Sequence, residues 1–219
     1  MTSDARVEQG SADEADIAAN HRGRFFVFEG IDGSGKSTVS RAITARLTAQ
    51  GRPAVHTAEP TDSWVGQMVR RGNAEAVSPF TETLLYMADR AEHTALIAQW
   101  LEAGNYVVCD RYVGSTLAYQ GVTLRPFLGN RAVDWLREVN RPYCITPTTA
   151  FFLEIDPDLA MDRLGSRKGR EKFEKIDFLR KVDQIYRQLV QEDRFYVTID
   201  ASQPLEDVIE TVWSFMAKY

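Results

Sequence analysis

Residues 25–38 read Phe25-Phe26-Val27-Phe28-Glu29-Gly30-Ile31-Asp32-Gly33-Ser34-Gly35-Lys36-Ser37-Thr38, and this stretch decides the fold of the 219-residue chain. Its first four residues are apolar, as in a buried β-strand, and the pattern Gly-x-x-x-x-Gly-Lys-Ser follows at once. The glycines let the backbone wrap a phosphate chain with its amide hydrogens inward, and the next helix presents its positive N-terminal end to the same anion. The stretch therefore predicts a nucleotide-binding loop between a strand and a helix.

The polar residues of this loop have expected roles with a Mg-nucleotide. Lys36 adds a positive charge near the β- and γ-phosphates, and Ser37 is placed to ligate the Mg²⁺ that bridges them. A helix over about 37–50 follows, which makes a chance glycine-rich turn the less favoured reading. We expect the nucleotide to contact nine consecutive residues: Gly30, Ile31, Asp32, Gly33, Ser34, Gly35, Lys36, Ser37 and Thr38.

Strand and helix patterns alternate along the rest of the chain. Apolar segments predict strands near 24–29, 53–58, 105–109, 149–155 and 195–199, each buried on both faces. Helices are expected at about 37–50, 62–71, 80–103, 115–121, 131–139, 157–164, 174–193 and 204–217. This order predicts an α/β fold, a doubly wound five-stranded parallel sheet flanked by helices, with ligands beyond the carboxyl ends of the strands.

A second polar group follows the third predicted strand, in Val107-Val108-Cys109-Asp110-Arg111-Tyr112. An aspartate at a strand end of this fold commonly holds Mg²⁺ or its waters, and an adjacent arginine can bind a second phosphate through two hydrogen bonds. A salt bridge between Asp110 and Arg111 is the structural alternative. We expect both side chains to face the phosphate-binding loop.

Composition limits the other possibilities. The net charge is −5, and residues 1–23 carry three of those negative charges, so the remainder has no basic field suited to nucleic acid. This acidic segment lacks apolar periodicity and predicts a disordered tail before one compact domain over 24–219. No signal-peptide core or membrane-length apolar run occurs, which favours a soluble, cytoplasmic protein. Cys109 and Cys144 have no metal-ligand spacing and receive no role.

Several motifs in order resemble those of the thymidylate kinase family. They are Glu59-Pro60-Thr61, Asp110-Arg111-Tyr112, Ser115-Thr116-Leu117-Ala118-Tyr119-Gln120-Gly121 and Asp200-Ala201-Ser202, and the similarity extends from about Arg24 to the C-terminus. The resemblance implies a P-loop NTPase type fold with a mobile lid. It also implies phosphoryl transfer from ATP to dTMP with Mg²⁺ in a homodimeric enzyme.

The resemblance assigns further roles residue by residue. Arg111 matches the arginine on the acceptor phosphate, and Asp32 matches the carboxylate that accepts from the 3′-hydroxyl. Tyr86 matches a ring that stacks on thymine, and Arg90 an arginine that hydrogen-bonds the base, the two sharing a helix face. The other dTMP positions implied by the resemblance are Glu59, Arg70 on the phosphate, Ser115 and Gln120 near the base, and Tyr119 beside the deoxyribose.

A basic segment from about 163 to 175 is expected to form the lid. Six cations there face only two acids, and Gly165 and Gly169 are flexible points. Cations over the γ-phosphate and exclusion of water both suit phosphoryl transfer, although a solvated basic loop is the plainer reading. Some family members carry an arginine directly after the loop carboxylate, where this chain has Gly33. The lid should therefore supply the transfer arginine, with Arg167 and Arg170 as leading candidates and Arg163 next.

Three other functions remain open at this stage. A kinase of the same architecture acting on another monophosphate or a deoxynucleoside would differ in its base contacts, and Tyr86 with Arg90 discriminates against it. A GTPase-type switch lacks support because no Asn-Lys-x-Asp motif occurs. A nucleic-acid-dependent ATPase is disfavoured by the near-neutral domain.

Overall fold

The computed structural model describes residues 22–165 and 170–219, with the side chains of 170–174 left out. The predicted lid therefore lies partly, and the predicted acidic tail almost entirely, outside the described residues. The five strands are β1 (Arg24–Glu29), β2 (Ala54–Ala58), β3 (Tyr106–Asp110), β4 (Thr149–Glu154) and β5 (Tyr196–Asp200). They form one all-parallel sheet in the order β2-β3-β1-β4-β5, which confirms the predicted fold class.

The helices of the described ranges lie between and after these strands. They are α1 (Lys36–Ala49), α2 (Trp64–Glu75), α3 (Pro79–Glu102), α4 (Val113–Leu128), α5 (Ala132–Asn140), α6 (Pro157–Arg163), α7 (Arg170–Glu192) and α8 (Leu205–Met216), with a short 3₁₀ turn at Gly129–Arg131. Alternate residues of β1 enter two apolar clusters, Phe26 and Phe28 in one, Phe25 and Val27 in the other. This alternation is expected of a central strand that is covered on both faces.

The strand order places β1 between β3 and β4, so the loop after β1 lies at the centre of the sheet edge. In the register, Phe28 is level with both Asp110 of β3 and Phe151 of β4. From β1, the sheet extends through β3 to β2 on one side and through β4 to β5 on the other. Such a switch point opens a crevice at the carboxyl ends of the strands, where this fold binds its ligands.

Three expectations about the elements were wrong. Strands β2 and β5 are not buried on both faces, because each is an edge strand with only one neighbour. Helix α4 is more than twice as long as predicted, because it is buried on most sides and so lacks the polar face on which periodicity depends. Helix α7 begins at Arg170, so the end of the segment assigned to the lid has a helical backbone.

Candidate functional site

The loop after β1 has the backbone that its glycines predicted. Gly30, Gly33 and Gly35 have φ of 141°, 85° and 95°, a region that side chains rarely adopt. A Cβ at Gly33 would lie 2.3 Å from the carbonyl oxygen of Ala160 in α6. The close approach of α6 therefore leaves no room for a side chain at position 33.

Lys36 begins α1 and turns its ammonium back into the loop. The side chain is almost fully enclosed, and Nζ donates to the carbonyl of Ile31 at 2.8 Å and to Oγ of Ser34 at 3.3 Å. Burial and, second, the charge of Arg111 lower the pKa of Lys36 to about 7, against the opposing charge of Asp110. A bound anion would restore the ordinary pKa, so this lysine is suited to holding phosphates. Thr38 lies next in α1, and its backbone N–H donates to Gly35 O at 3.1 Å.

Ser37, in the first turn of α1, and Asp110, the last residue of β3, meet at the phosphate-binding loop. The hydroxyl of Ser37 donates to Oδ2 of Asp110. Oδ1 of Asp110 is buried and has no hydrogen-bond partner. A buried carboxylate oxygen without a partner is costly unless a cation or water satisfies it, and a hydroxyl beside it is a suitable second oxygen ligand. The pair therefore fits Mg²⁺.

The described residues contain no group of three or more His, Cys, Asp or Glu side chains that could bind a metal by themselves. Mg²⁺ bound by Ser37 and Asp110 would take its remaining ligands from phosphate oxygens and water, which is how Mg²⁺ is usually held at nucleotide sites.

Arg111 links the loop to the neighbouring cavity. Its φ of 73° is unusual for a residue with a side chain, and its N–H donates to Phe28 O at 3.0 Å. The guanidinium donates through Nη2 to Asp32 and through Nη1 to Oγ of Ser115 at 3.2 Å. It also lies 5.2 Å from the ring centroid of Tyr119, whose hydroxyl accepts from the N–H of Asp32 at 3.0 Å. The ion pair of Arg111 is thus with Asp32 and not with Asp110, which was the structural alternative.

A cavity of about 180 Å³ opens beside Arg111. Eight of the nine residues predicted for the acceptor line it. Its lining consists of Asp32, Glu59, Pro60, Glu82, Tyr86, Arg90, Arg111, Ser115, Thr116, Tyr119 and Gln120. Side chains from α3, from α4 and from the loop after β2 thus converge on one volume next to the phosphate-binding loop.

Arg90 belongs to a buried hydrogen-bond network beside this cavity. Its Nη2 donates to Oε2 of Glu59 at 2.7 Å, and its Nη1 donates to Oδ1 of Asn140 at 3.2 Å. Nε of Arg90 is buried without a partner. His93 holds the other carboxylate oxygen of Glu59 through Nδ1 at 3.0 Å, while its Nε2 pairs with Oγ1 of Thr57 at 2.7 Å. The spare Nε donor and the cavity wall make Arg90 able to hydrogen-bond a ligand.

Two predicted contributors lie elsewhere. Arg70 of α2 does not line the cavity: it donates to the carbonyl of Pro60 at 2.8 Å, to the carbonyl of Thr61 and to Asp62 at 3.1 Å, which supports the loop after β2. Arg163, at the end of α6, donates to Ala201 O at 2.8 Å beyond β5. Arg167 lies outside the described residues, and the side chain of Arg170 is not described.

Glu29, Glu82, His93 and Asn140 were not assigned any role from the sequence. Glu29 is 1% exposed, and burial raises its pKa, although a hydrogen bond from Ser115 and the charge of Arg111 oppose the rise. Glu82 lines the cavity and accepts from Nε2 of Gln120 at 3.3 Å. Only Glu82 had a usable signal, since it lies one helical turn before Tyr86 on α3.

Known proteins match most of the chain. The family model described as thymidylate kinase matches residues 28–212. A protein named probable thymidylate kinase from Methanosarcina barkeri is 37% identical over 204 residues, covering 90% of this chain and 99% of its own. A protein with the same name from Methanoculleus marisnigri is 41% identical and covers 82% of this chain and 87% of its own. One from Halobacterium salinarum is 39% identical and covers 83% of this chain and 89% of its own. Within the described ranges, no helix has the length and apolar character needed to cross a membrane.

Proposed function

Because the chain belongs to the thymidylate kinase family, we propose that it transfers the γ-phosphoryl group of ATP to dTMP and releases ADP and dTDP. The observation that carries this proposal is the position of Arg111, which bridges the phosphate-binding loop at Asp32 and the cavity at Ser115. One guanidinium can thereby bind the acceptor phosphate next to the donor. A donor site and an acceptor site that share one arginine suit in-line transfer between two phosphates.

The donor site consists of the loop amides and Lys36, with Ser37 and Asp110 as the residues that would hold Mg²⁺. The metal would neutralise charge on the β- and γ-phosphates when bound. Lys36 places a second positive charge at the same phosphates. Because the acceptor is already an anion and the transition state is loose, the protein has little need of a general base. Its work is to position the two phosphates and exclude water.

The acceptor site follows from the lining of the cavity. Arg90 and Gln120 supply the polar groups for the base, Tyr86 a ring that can stack on it, and Tyr119 an aromatic neighbour for the deoxyribose. Asp32 is available to the sugar hydroxyl. Arg70 is proposed to contact the acceptor phosphate after the loop that follows β2, which it supports in the nucleotide-free protein, moves on dTMP binding.

The arginine that neutralises the transferring group is proposed to come from the segment 163–175. The approach of Ala160 excludes a side chain at position 33, so the loop cannot supply it. Arg167 and Arg170 are the candidates. Arg163 is the weaker one, because its guanidinium already donates to the Ala201 carbonyl. The acidic segment 1–23 is proposed to be dispensable for turnover, and the domain to span 24–219 in the cytoplasm.

We further propose a homodimer formed through α3. Leu84, Ala88, Ala91 and Ala95 are exposed and follow one another at helical spacing on one face. Leu84, at the N-terminal end of this row, is 56% exposed and is its largest apolar side chain. Small side chains let two helices approach closely, and a second copy of the chain provides an identical apolar face.

An acceptor series tests the proposed reaction. ADP release is measured with ATP-Mg²⁺ and each of dTMP, dUMP, dCMP, dGMP and dAMP, with Lys36→Ala as the control. We expect a rate with dTMP far above the purine and cytosine monophosphates, and its loss in the variant. A faster rate with another monophosphate, or with a deoxynucleoside, would show that the protein is a kinase of that acceptor instead.

A further inference from the structure

Glu29 is a buried carboxylate that contacts the site without lining it. It is the last residue of β1, directly before Gly30, and its side chain is enclosed behind the acceptor cavity. A buried carboxylate is costly and persists only when its surroundings satisfy it. Its hydrogen-bond partners therefore indicate what the residue does.

Three donors satisfy the two oxygens of Glu29. Oε1 accepts from the backbone N–H of Tyr112 at 3.0 Å, and Oε2 accepts from the hydroxyls of Ser115 at 2.6 Å and Tyr186 at 3.0 Å. The bond from Ser115 is the shortest, as expected for a hydroxyl that donates to an ionised carboxylate. The single hydroxyl proton of Ser115 is thus directed at Glu29.

This direction leaves the lone pairs of Ser115 for Arg111. A hydroxyl has one proton and two acceptor positions, so Oγ can accept from Nη1 of Arg111, which lies 3.2 Å away. The other end of the guanidinium, Nη2, donates to Asp32. The guanidinium of Arg111 is thus held between Oγ of Ser115 and a carboxylate oxygen of Asp32. Glu29 fixes the orientation of the Ser115 hydroxyl, so that its lone pairs face the arginine.

The backbone around Arg111 is held by the same carboxylate. Tyr112, whose N–H donates to Glu29, directly follows the residue with φ of 73°. A Cβ at Gly114 would lie 2.8 Å from Oε1 of Glu29 and 2.4 Å from the hydroxyl of Tyr196, so only glycine leaves room for this contact. Backbone in this region persists where its surroundings hold it in place.

We propose that Glu29 is a positioning residue that acts through Ser115 and Tyr112 to aim Arg111 at the acceptor phosphate. The inference rests on the proposed function, in which Arg111 binds that phosphate. Glu29 is buried and does not line the acceptor cavity, so it acts through its hydrogen-bond partners. Because Glu29 ends β1 directly before the loop that holds ATP, it fixes Arg111, which binds the acceptor, relative to that loop.

A double-mutant cycle between Glu29→Gln and Arg111→Ala tests this coupling. Glutamine keeps the shape but removes the charge and one acceptor. We expect kcat/KM for dTMP to fall about 10- to 100-fold, the size of one lost charge-assisted hydrogen bond, while the Kd for ATP stays within about twofold. In the Arg111→Ala background, the same substitution should cost less than about twofold more.

Two further variants keep the test decisive if Glu29→Gln folds poorly. Ser115→Ala removes the connection to Arg111 but leaves the carboxylate in place, so it should also weaken dTMP turnover without weakening ATP binding. Tyr186→Phe removes a second donor to Glu29, whose hydroxyl also lies 2.9 Å from Oγ of Ser115, so it should lower kcat/KM for dTMP less than Ser115→Ala does and leave ATP binding unchanged. A purely structural role would instead lower thermal stability and both substrate affinities together.

The outcomes separate this inference from the proposed function. Equal losses from Glu29→Gln in the wild-type and Arg111→Ala backgrounds would overturn it, and so would a parallel loss of ATP and dTMP affinity. If the wild type does not phosphorylate dTMP at all, the proposed function fails first. Normal wild-type turnover with no effect of Glu29→Gln contradicts only the positioning role.

Discussion

ATP binding should take up a proton at Lys36. In the nucleotide-free protein the pKa of Lys36 is lowered to about 7, chiefly by burial and then by Arg111. The phosphates of ATP favour the charged ammonium and should return its pKa toward the ordinary 10.5. At pH 8 about nine-tenths of the free protein carries neutral Lys36, so binding should take up about 0.9 proton, against about 0.1 at pH 6.

The sign of the linkage follows from the direction of the shift. Because the bound form holds more protons, ATP affinity is fully present below pH 7 and is lost as the pH rises through 7. Between pH 6 and pH 8 the Kd should rise about tenfold, equivalent to about 1.4 kcal/mol. The loss should continue with each further pH unit until the pKa of the bound form is reached.

Isothermal titration calorimetry measures this uptake directly. ATP with excess Mg²⁺ is titrated at pH 8 in two buffers of different ionisation enthalpy, and the difference between the observed enthalpies gives the protons taken up. The control is Lys36→Arg, whose guanidinium does not titrate and should show no uptake. An uptake below about 0.2 proton in the wild type, or the same uptake in the control, would refute the reasoning.

Three more predictions concern the packing at Gly33, the buried ion pair of Arg90 and the proposed dimer. Gly33→Ala should weaken ATP binding and cost about 1–3 kcal/mol of stability by clashing with α6, whereas Gly129→Ala, which has positive φ but open space, should leave ATP binding unchanged; denaturation and nucleotide titration check both. Arg90→Met leaves Glu59 buried without its arginine and with only His93 beside it, so it should cost about 3–5 kcal/mol in chemical denaturation, and a smaller loss would contradict the buried pair. Leu84→Glu on α3 should give a monomer by light scattering, and an unchanged mass would rule out this interface.

The fold could be predicted where the residues of one segment agree with one another. In residues 25–38, an apolar strand, turn glycines and a helix start all point to the same structure. Helix α4 has no such agreement, because Gly114, Ser115, Gln120 and Gly121 are all buried and no polar face shows where it ends. The edge positions of β2 and β5 depend on strand order, which apolar content does not encode.

The site could be predicted where function places polar residues at strand ends. Asp110, at the end of β3, meets Ser37, in the first turn of α1, because the carboxyl ends of the parallel strands β1 and β3 lie side by side and α1 begins directly after the β1 loop. Glu29 could not be found in this way, because its partners Tyr112, Ser115 and Tyr186 lie 83, 86 and 157 residues away in the chain. A glutamate at a strand end looks the same in sequence whether it is exposed or enclosed.

The central claim is that Arg111 joins a donor and an acceptor phosphate, and its most direct test is to identify the product. Wild-type protein and Arg111→Ala are incubated with ATP-Mg²⁺ and dTMP, and the nucleotides are separated and quantified by chromatography, with ATP binding measured in parallel. The account predicts equal amounts of ADP and dTDP from the wild type, and loss of dTDP with ATP still bound in the variant. ADP without dTDP, or near-normal dTDP from Arg111→Ala, would contradict it.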